Sequence, residues 1–261
     1  MRIFNTIVLV FLLMALASRA QTDSLVKGTS NGIPNRIDTI RSTQLHPWRV
    51  VIPVTLITYG VIARQSGALK NVNNNLSDDL WNRHHHSKTP IDNYLQWSPA
   101  VALLGLQLAG IKGQDKFTDL SIKYGMSFLL NTALTEMIKK SWKEWRPDSS
   151  NQYSFPSGHT SNAFMAAELL RLEYRNVSPW YGIAGYTAAA ATGFLRMYNN
   201  KHWFSDVVAG AGVGILSTDI VWWTYPVLKR WVAGKGKDLH TMVVPYYTPY
   251  TGAGLCLVHH L

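Results

Sequence analysis

Three short polar segments stand out in the chain: KKSWKEWRP at residues 139–147, FPSGHT at 155–160 and LRMYNNKHWFSD at 195–206. Written as spacings, they are Lys-x6-Arg-Pro, Pro-Ser-Gly-His and Arg-x5-His-x3-Asp. Apolar stretches of helical length lie before the first segment, between the second and the third, and after the third. This alternation predicts a helical bundle in which the polar segments connect or end the helices.

Five stretches are helical candidates, and short connectors between them favour antiparallel neighbours in a bundle. They are residues 92–111, 117–139, 160–174, 180–195 and 206–228. The first is apolar for long enough after Trp97 to cross a bilayer. We therefore predict an all-α fold, a bundle of five to six core helices embedded in a membrane. The β-branched and aromatic residues of the tail, broken by Pro and Gly, are typical of one β-hairpin.

The first polar segment supplies cations. Lys139 and Arg146 are seven residues apart, which is two turns on one helical face, and Pro147 is expected to end that helix. An arginine offers a planar fork to two oxygens of a phosphate and a lysine offers a mobile point charge. A solvated basic helix end is the alternative explanation of the pair.

The second segment predicts an anion site at the start of a helix. Free backbone N–H groups there bind anions, and Gly158 allows close approach of the backbone. Ser157 can add a hydrogen bond, and His159 is placed to protonate a leaving oxygen. An ordinary turn with a capping histidine is the alternative.

The third segment places His202 and Asp206 one helical turn apart. A carboxylate bonded to one imidazole nitrogen leaves the other nitrogen free to attack. Arg196 would complete a phosphate cradle. The alternative is a helix start at which Asp206 satisfies backbone donors, and the joint occurrence of the three segments within 68 residues argues against it.

These segments resemble the type 2 phosphatidic acid phosphatase (PAP2) superfamily, apart from Leu195, which stands where that family has a serine. The resemblance covers residues 92–228 and implies a metal-independent phosphatase without a cofactor. It implies a role for each site residue: His202 the nucleophile, His159 the general acid, Asp206 the partner of His202, and phosphate binding by Lys139, Arg146, Ser157, Gly158 and Arg196. The chain further resembles lipid phosphate phosphatases of the Bacteroides group, including lipid A phosphatases.

Composition agrees with a membrane protein that binds phosphate. Apolar residues make up 47% of the chain and charged residues 15%, against about 25% charged in an ordinary soluble domain. The net charge of +10 favours a partner rich in phosphate. Nucleic acid is disfavoured, because no basic run interleaves with aromatics and no zinc-finger or RNA-binding motif occurs. The single Cys256 excludes an internal disulfide.

The chain divides into four parts. Residues 1–20 are typical of a signal peptide cleaved before Gln21, with an uncleaved anchor as the alternative. Residues 21–47 form a polar lead-in, 48–235 the helical domain and 236–261 a tail of unknown role. We expect residues 48–64 to lie along the membrane interface or to bend back at Pro53.

Basic residues at alternate connectors predict the orientation. Positive charge concentrates on the cytoplasmic side of membrane proteins, and it is found here at residues 112–116, 171–175 and 229–237. The three polar segments would then face the periplasm from the inner membrane of a bacterium. The alternative is a soluble or peripherally bound periplasmic protein.

Two further patterns have simpler explanations than they first suggest. The adjacent histidines at 84–86 would point in three directions on a helix, so we expect a solvated surface and no metal site. Gly210, Gly212 and Gly214 have the spacing G-x-G-x-G, not the G-x-G-x-x-G of a dinucleotide site. We expect Gly210 and Gly214 to let helices approach closely.

The leading functional hypothesis is a lipid phosphatase acting on lipid A, undecaprenyl pyrophosphate or phosphatidylglycerol phosphate. A soluble nonspecific acid phosphatase and a vanadate-dependent haloperoxidase are its rivals among enzymes. From another class, the chain could be a noncatalytic membrane protein that retains a phosphate pocket. The oligomeric state has no signal in the sequence.

Overall fold

The structure is a computed structural model, and it describes residues 47–83, 86–235, 241–248 and 252–259. The expected signal peptide and nearly all of the lead-in lie outside the described residues.

Eight α-helices occupy the described chain between Trp48 and Lys235. They are α1 (Trp48–Gln65), α2 (Gly67–Ser77), α3 (Ile91–Leu95), α4 (Ser98–Leu108), α5 (Phe117–Trp142), α6 (Gly158–Tyr174), α7 (Pro179–Tyr198) and α8 (Phe204–Lys235). A π-helical turn, Asp78–Asn82, continues α2. Strands β1 (Thr241–Thr248) and β2 (Gly252–His259) pair antiparallel. The predicted all-α bundle is confirmed, and so is the hairpin in the tail.

Helix α8 is the centre of the bundle, and it packs against α1, α5 and α6. Close approach depends on its glycines. A Cβ on Gly210 would lie 2.6 Å from the carbonyl oxygen of Ser157, and one on Gly214 would lie 2.2 Å from that of Ser161. Both distances are far inside van der Waals contact with a backbone atom. The prediction that these two glycines serve helix packing is confirmed.

The apolar core lies between α4, α5, α6 and α8. Its buried members are Leu103, Leu120, Leu169, Leu170, Leu172, Tyr174 and Trp222. Burying each such side chain stabilises the fold by roughly 1.5–3 kcal/mol before entropy is counted. This core holds the helices in register, and the polar segments lie beyond it.

Helices α1 and α2 wrap the outside of α8. Arg49 forms an ion pair with Asp219 at one end of α1. Further along the chain, Asn73 exchanges two hydrogen bonds of 3.0 Å with Ser205 at the start of α8. Helix α2 and its π-helical turn together form Gly67–Asn82, the α2 segment. The bend between α1 and the α2 segment is 92°, and it lies at Ser66, whose backbone is extended. The expected bend at Pro53 is wrong, because α1 runs through that proline.

The predicted long helix over residues 92–111 is also wrong. The chain breaks between Leu95 and Ser98, and α4 has only 11 residues. Pro99 has no backbone N–H to donate to the carbonyl of Leu95, which accepts from the Ser98 hydroxyl at 2.8 Å instead, so the helix is interrupted here. At the far end, Gly110 adopts φ +83°, a left-handed conformation that ends the helix.

By length and composition, one helix of the described chain could cross a membrane. It is Phe204–Val232, and much of it is buried within the bundle. The bent pair formed by α1 and the α2 segment passes the same test only if it is counted as one span.

We predict opposite effects of alanine at two helical glycines. Gly214→Ala should lower the free energy of unfolding by about 1–3 kcal/mol, because the new methyl meets backbone atoms of α6 that cannot move aside. Gly125→Ala in α5 is the matched control, since nothing lies within 4 Å of its Cβ position. It should be neutral or stabilising by up to about 1 kcal/mol. Thermal unfolding followed by circular dichroism measures both, and equal shifts would contradict the close contact.

Candidate active site

Antiparallel order brings four helix ends to the same end of the bundle. Lys139 lies in the last turn of α5 and Ser157 is the residue directly before α6. Arg196 lies in the last turn of α7 and Asp206 in the first turn of α8. A backbone hydrogen bond of 3.0 Å from Ser157 N to Asp206 O joins the second segment to the third. The predicted residues therefore meet although they are spread over a stretch of 68 residues.

Arg146 reaches the site by another route than predicted. Helix α5 ends at Trp142, and Lys143 takes the left-handed conformation with φ 45°. Arg146 therefore lies in the connector, where its backbone N–H bonds to Asn151 O at 3.1 Å. The prediction that Lys139 and Arg146 share one helical face, with Pro147 ending that helix, is wrong. The position of Arg146 is therefore set by the fold of the connector after α5 and not by helical spacing.

Three cations converge here. Lys139 is 8% exposed and donates to the carbonyl of Tyr153 at 2.7 Å. Burial, and then repulsion from Arg146, lower the pKa of Lys139 to about 8. Burial and the charge of Arg196 likewise lower the pKa of Arg146. Such mutual repulsion is what a bound anion would relieve.

Hydrogen-bond capacity is left over at the same place. Within the described residues, the buried Nε atoms of Arg146 and Arg196 have no hydrogen-bond partner. The first N–H groups of α6 have no preceding helical turn whose carbonyl oxygens could accept from them. The side chain of Ser157 does not accept from them either. Gly158 faces Lys139, with 3.9 Å between its Cβ position and the lysine Cε. The arrangement can hold a tetrahedral anion such as phosphate.

His202 is a buried neutral imidazole beside a carboxylate. Its Nδ1 lies 3.6 Å from Asp206 Oδ2, longer than a good hydrogen bond. Burial lowers the pKa of His202 to about 3, although Asp206 opposes the shift. No partner of its Nε2 is found in the described chain. That nitrogen is therefore available as a nucleophile at neutral pH.

Ser154 belongs to this group, and the sequence analysis missed it. Its hydroxyl donates to Asp206 Oδ2 and lies 3.5 Å from His202 Nδ1. The N–H of Trp203 donates to the same carboxylate oxygen at 3.0 Å. Ser154 thus helps to orient the carboxylate against the imidazole. The sequence offers one indication of this role, which is that Ser154 directly precedes the second segment.

His159 stands at the start of α6 and is half-buried. Its Nε2 lies 3.0 Å from Asn93 Oδ1. Burial, and then the charge of Arg196, lower the pKa of His159 to about 4 in the free protein. Asp92, which forms a 2.6 Å ion pair with Arg196, opposes that shift. Asp92 and Asn93 were not predicted as site residues.

His86 lies apart from this arrangement. Its ring stacks on Tyr198 with centroids 3.6 Å apart, and its Nε2 is 2.9 Å from the carbonyl of that tyrosine. The other two histidines of the triplet lie outside the described residues, so the expected solvated surface stays a prediction.

Comparison with known protein families gives one match. Residues 120–230 match the PAP2 superfamily, and this range contains the eight predicted site residues. The chain carries a PAP2 superfamily domain, as its three polar segments indicated.

Two curated relatives are named lipid phosphatases. A lipid A 1-phosphatase of Porphyromonas gingivalis is 38% identical over 161 residues, which cover 61% of this chain and 36% of that protein. Phosphatidylglycerophosphatase B of Bacillus subtilis is 28% identical over 130 residues, 45% of this chain and 62% of that protein. The chain thus spans about a third of the first relative and less than two thirds of the second.

One solved structure is similar to part of this chain. It is the transmembrane PAP2 type phosphatidylglycerolphosphate phosphatase from Bacillus subtilis, which is 22% identical. The TM-score is 0.47, over 69% of this chain and 98% of that one.

We predict that binding of inorganic phosphate weakens as the pH rises through about 8. Lys139 is charged below that pKa and neutral above it, so one charged contact is lost. Lys139→Gln should weaken binding at pH 7 about 10- to 100-fold, the worth of a hydrogen bond to a charged group, and should remove the pH step. The exposed neighbour provides the control, Lys140→Gln, with unchanged binding. Isothermal titration calorimetry between pH 7 and 9.5 measures this, and a flat wild-type affinity would refute it.

Proposed function

We propose that this protein is a metal-independent phosphatase of a lipid phosphate, acting through a phosphohistidine at the periplasmic face of a bacterial inner membrane. One observation carries the proposal. A neutral His202 beside the carboxylate of Asp206 and a second histidine, His159, lie at the end of the bundle where three cations converge.

The first step transfers the phosphoryl group to the protein. Nε2 of His202 attacks phosphorus, the bond from phosphorus to the ester oxygen breaks, and a P–N bond forms. Lys139, Arg146 and Arg196 stabilise the charge on the equatorial oxygens. His159 gives its proton to the departing oxygen, so the lipid leaves as an alcohol or as a lower phosphate.

The second step restores the protein. Neutral His159 accepts a proton from water, the resulting oxygen attacks phosphorus, and the P–N bond breaks. Inorganic phosphate leaves, and both histidines return to their starting states. In the free protein, burial and the three cations hold His159 neutral at pH 7. An incoming phosphate dianion offsets those charges, so its binding favours the protonated imidazole that the first step needs.

The outer surface of the bundle supports a membrane location. Large apolar side chains are exposed along the helices, among them Val101 at 68%, Leu108 at 74% and Leu129 at 69%. Large apolar side chains left exposed on neighbouring helices support contact with a membrane or a partner. Around the two ends are exposed aromatic residues, which favour membrane interfaces: Tyr94, Trp145 and Tyr153 at the site end, and Trp48, Trp180 and Trp231 at the other.

Orientation follows from charge. Lys112, Arg171 and Lys229 lie at the end of the bundle opposite the site. Basic residues concentrate on the cytoplasmic side, which directs the site outward. The relatives' names support a lipid substrate, and lipid A phosphate is the first choice because the lipid A 1-phosphatase is the more similar of the two.

A soluble acid phosphatase is the second candidate. It is favoured by the small number of helices in the described chain that are long and apolar enough to span a bilayer. Release of the protein from a periplasmic fraction without detergent would support it and contradict the membrane location.

We predict that His202→Ala abolishes turnover while the protein still binds inorganic phosphate, because the cradle remains and the nucleophile is gone. His159→Ala should slow release of an alkyl alcohol more than release of p-nitrophenol, which leaves without a proton. Mass spectrometry of quenched protein should find phosphate on His202. Chelators should not inhibit the reaction.

The carboxylates offer a matched control. Asp206→Asn should lower kcat by about 10- to 100-fold through loss of a charged contact, whereas Asp79→Asn, at an exposed site on the π-helical turn, should have no effect. Substantial turnover by the His202→Ala variant would rule out the phosphohistidine.

A further inference from the structure

The short helix α3 contacts the site through two adjacent side chains that belong to none of the three polar segments. Asp92 accepts from Arg196 Nη1 at 2.6 Å across 104 residues of sequence. Asn93 Oδ1 lies 3.0 Å from His159 Nε2, across 66 residues. One five-residue helix thus touches both a phosphate-binding cation and the general acid of the proposed mechanism.

The pair of Asp92 and Arg196 is buried, with the two residues 2% and 7% exposed. A buried charge needs a partner, and a carboxylate that holds one arm of a guanidinium also fixes the plane of its fork. Arg196 Nε remains without a partner in the described chain. The contact therefore aims Arg196 at the site and leaves donors for the substrate.

His159 is surrounded by charge from four elements. Arg196 on α7, Arg146 in the connector and Lys139 on α5 disfavour its protonated form, whereas Asp92 favours it. Asn93 adds an acceptor for a ring N–H, which also favours the protonated form. Both groups that oppose the cations come from α3.

Helix α3 is itself held on both sides. Before it, Thr89 exchanges two hydrogen bonds with Asn199, three residues beyond Arg196, at 2.8 and 2.9 Å. After it, Gln96 donates to the carbonyl of Asn93 at 3.0 Å and accepts from Asn162 of α6 at 3.4 Å. Residues held in this way can position a neighbour precisely.

We propose that α3 is the positioning element of the site, in which Asp92 fixes the fork of Arg196 on the substrate phosphate and Asn93 orients His159 in its proton-donating form. The proposal rests on the phosphatase function inferred above. Neither residue touches the reacting atoms, and both act through the side chains they hold.

The test compares kcat as a function of pH for an alkyl lipid phosphate and for p-nitrophenyl phosphate. The variants are Asn93→Ala, Asn93→Asp and Asp92→Asn, and the controls are Asn75→Ala and Asp79→Asn at exposed sites of the α2 segment. The alkaline limb of kcat reports the pKa of the general acid in the substrate complex.

Asn93→Ala should move that limb to lower pH by roughly half a unit to one unit, since a stabilising acceptor is lost. It should lower kcat for the alkyl substrate about 3- to 10-fold, the worth of one hydrogen bond, and change p-nitrophenyl phosphate much less. Asn93→Asp keeps an acceptor and adds negative charge, so its limb should stay or move to higher pH. The controls should match the wild type.

Asp92→Asn should move the limb in the same direction and weaken binding of inorganic phosphate about 10-fold, because Arg196 loses its charged partner. If this buried substitution prevents folding, the exposed Asn93 variants decide the matter alone. A uniform loss of kcat with unmoved limbs would assign α3 a merely structural role and overturn the proposal.

Failure of the underlying function has a different signature. A wild-type protein that hydrolyses no phosphate ester contradicts the proposed function itself. The positioning of Arg196 is then judged from phosphate binding by Asp92→Asn against Asp79→Asn, and equal affinities overturn it.

Discussion

The backbone contact between α6 and α8 is the constraint on which the rest of the site depends. Gly210 and Gly214 let the two helices approach until no Cβ would fit between them. At that distance the N–H of Ser157 bonds to the carbonyl of Asp206. The anion-binding start of one helix is thereby fixed beside the carboxylate of the other, and His202 is carried with it.

Repulsion among three cations is the second feature that characterises the site. Three cations are held close together in a partly buried site, where their repulsion lowers the pKa of Lys139 and of Arg146. In the described chain, Arg196 is the one of the three that has a carboxylate partner in an ion pair. The fold stabilises this arrangement with the apolar core beyond the site, and an anion that enters would recover part of its cost.

The two histidines differ because their surroundings differ. His202 is almost completely buried against Asp206 and Ser154, so it stays neutral as a nucleophile must. His159 stands at a half-open helix start, where Asp92 counteracts the cations. Two imidazoles in one site thus receive opposite roles from burial and neighbouring charge.

The sequence by itself determined the residue types, the helical bundle and a helix start at the Pro-Ser-Gly-His segment, since these depend on local spacing, small residues and apolar length. It also determined that Gly210 and Gly214 pack helices. Only the tertiary structure decided that Arg146 leaves the helix, that the first predicted helix breaks before Pro99, and that Ser154, Asp92 and Asn93 join the site. Those three contacts span 52 to 104 residues, and no periodicity records which distant side chain a fold brings within hydrogen-bonding distance.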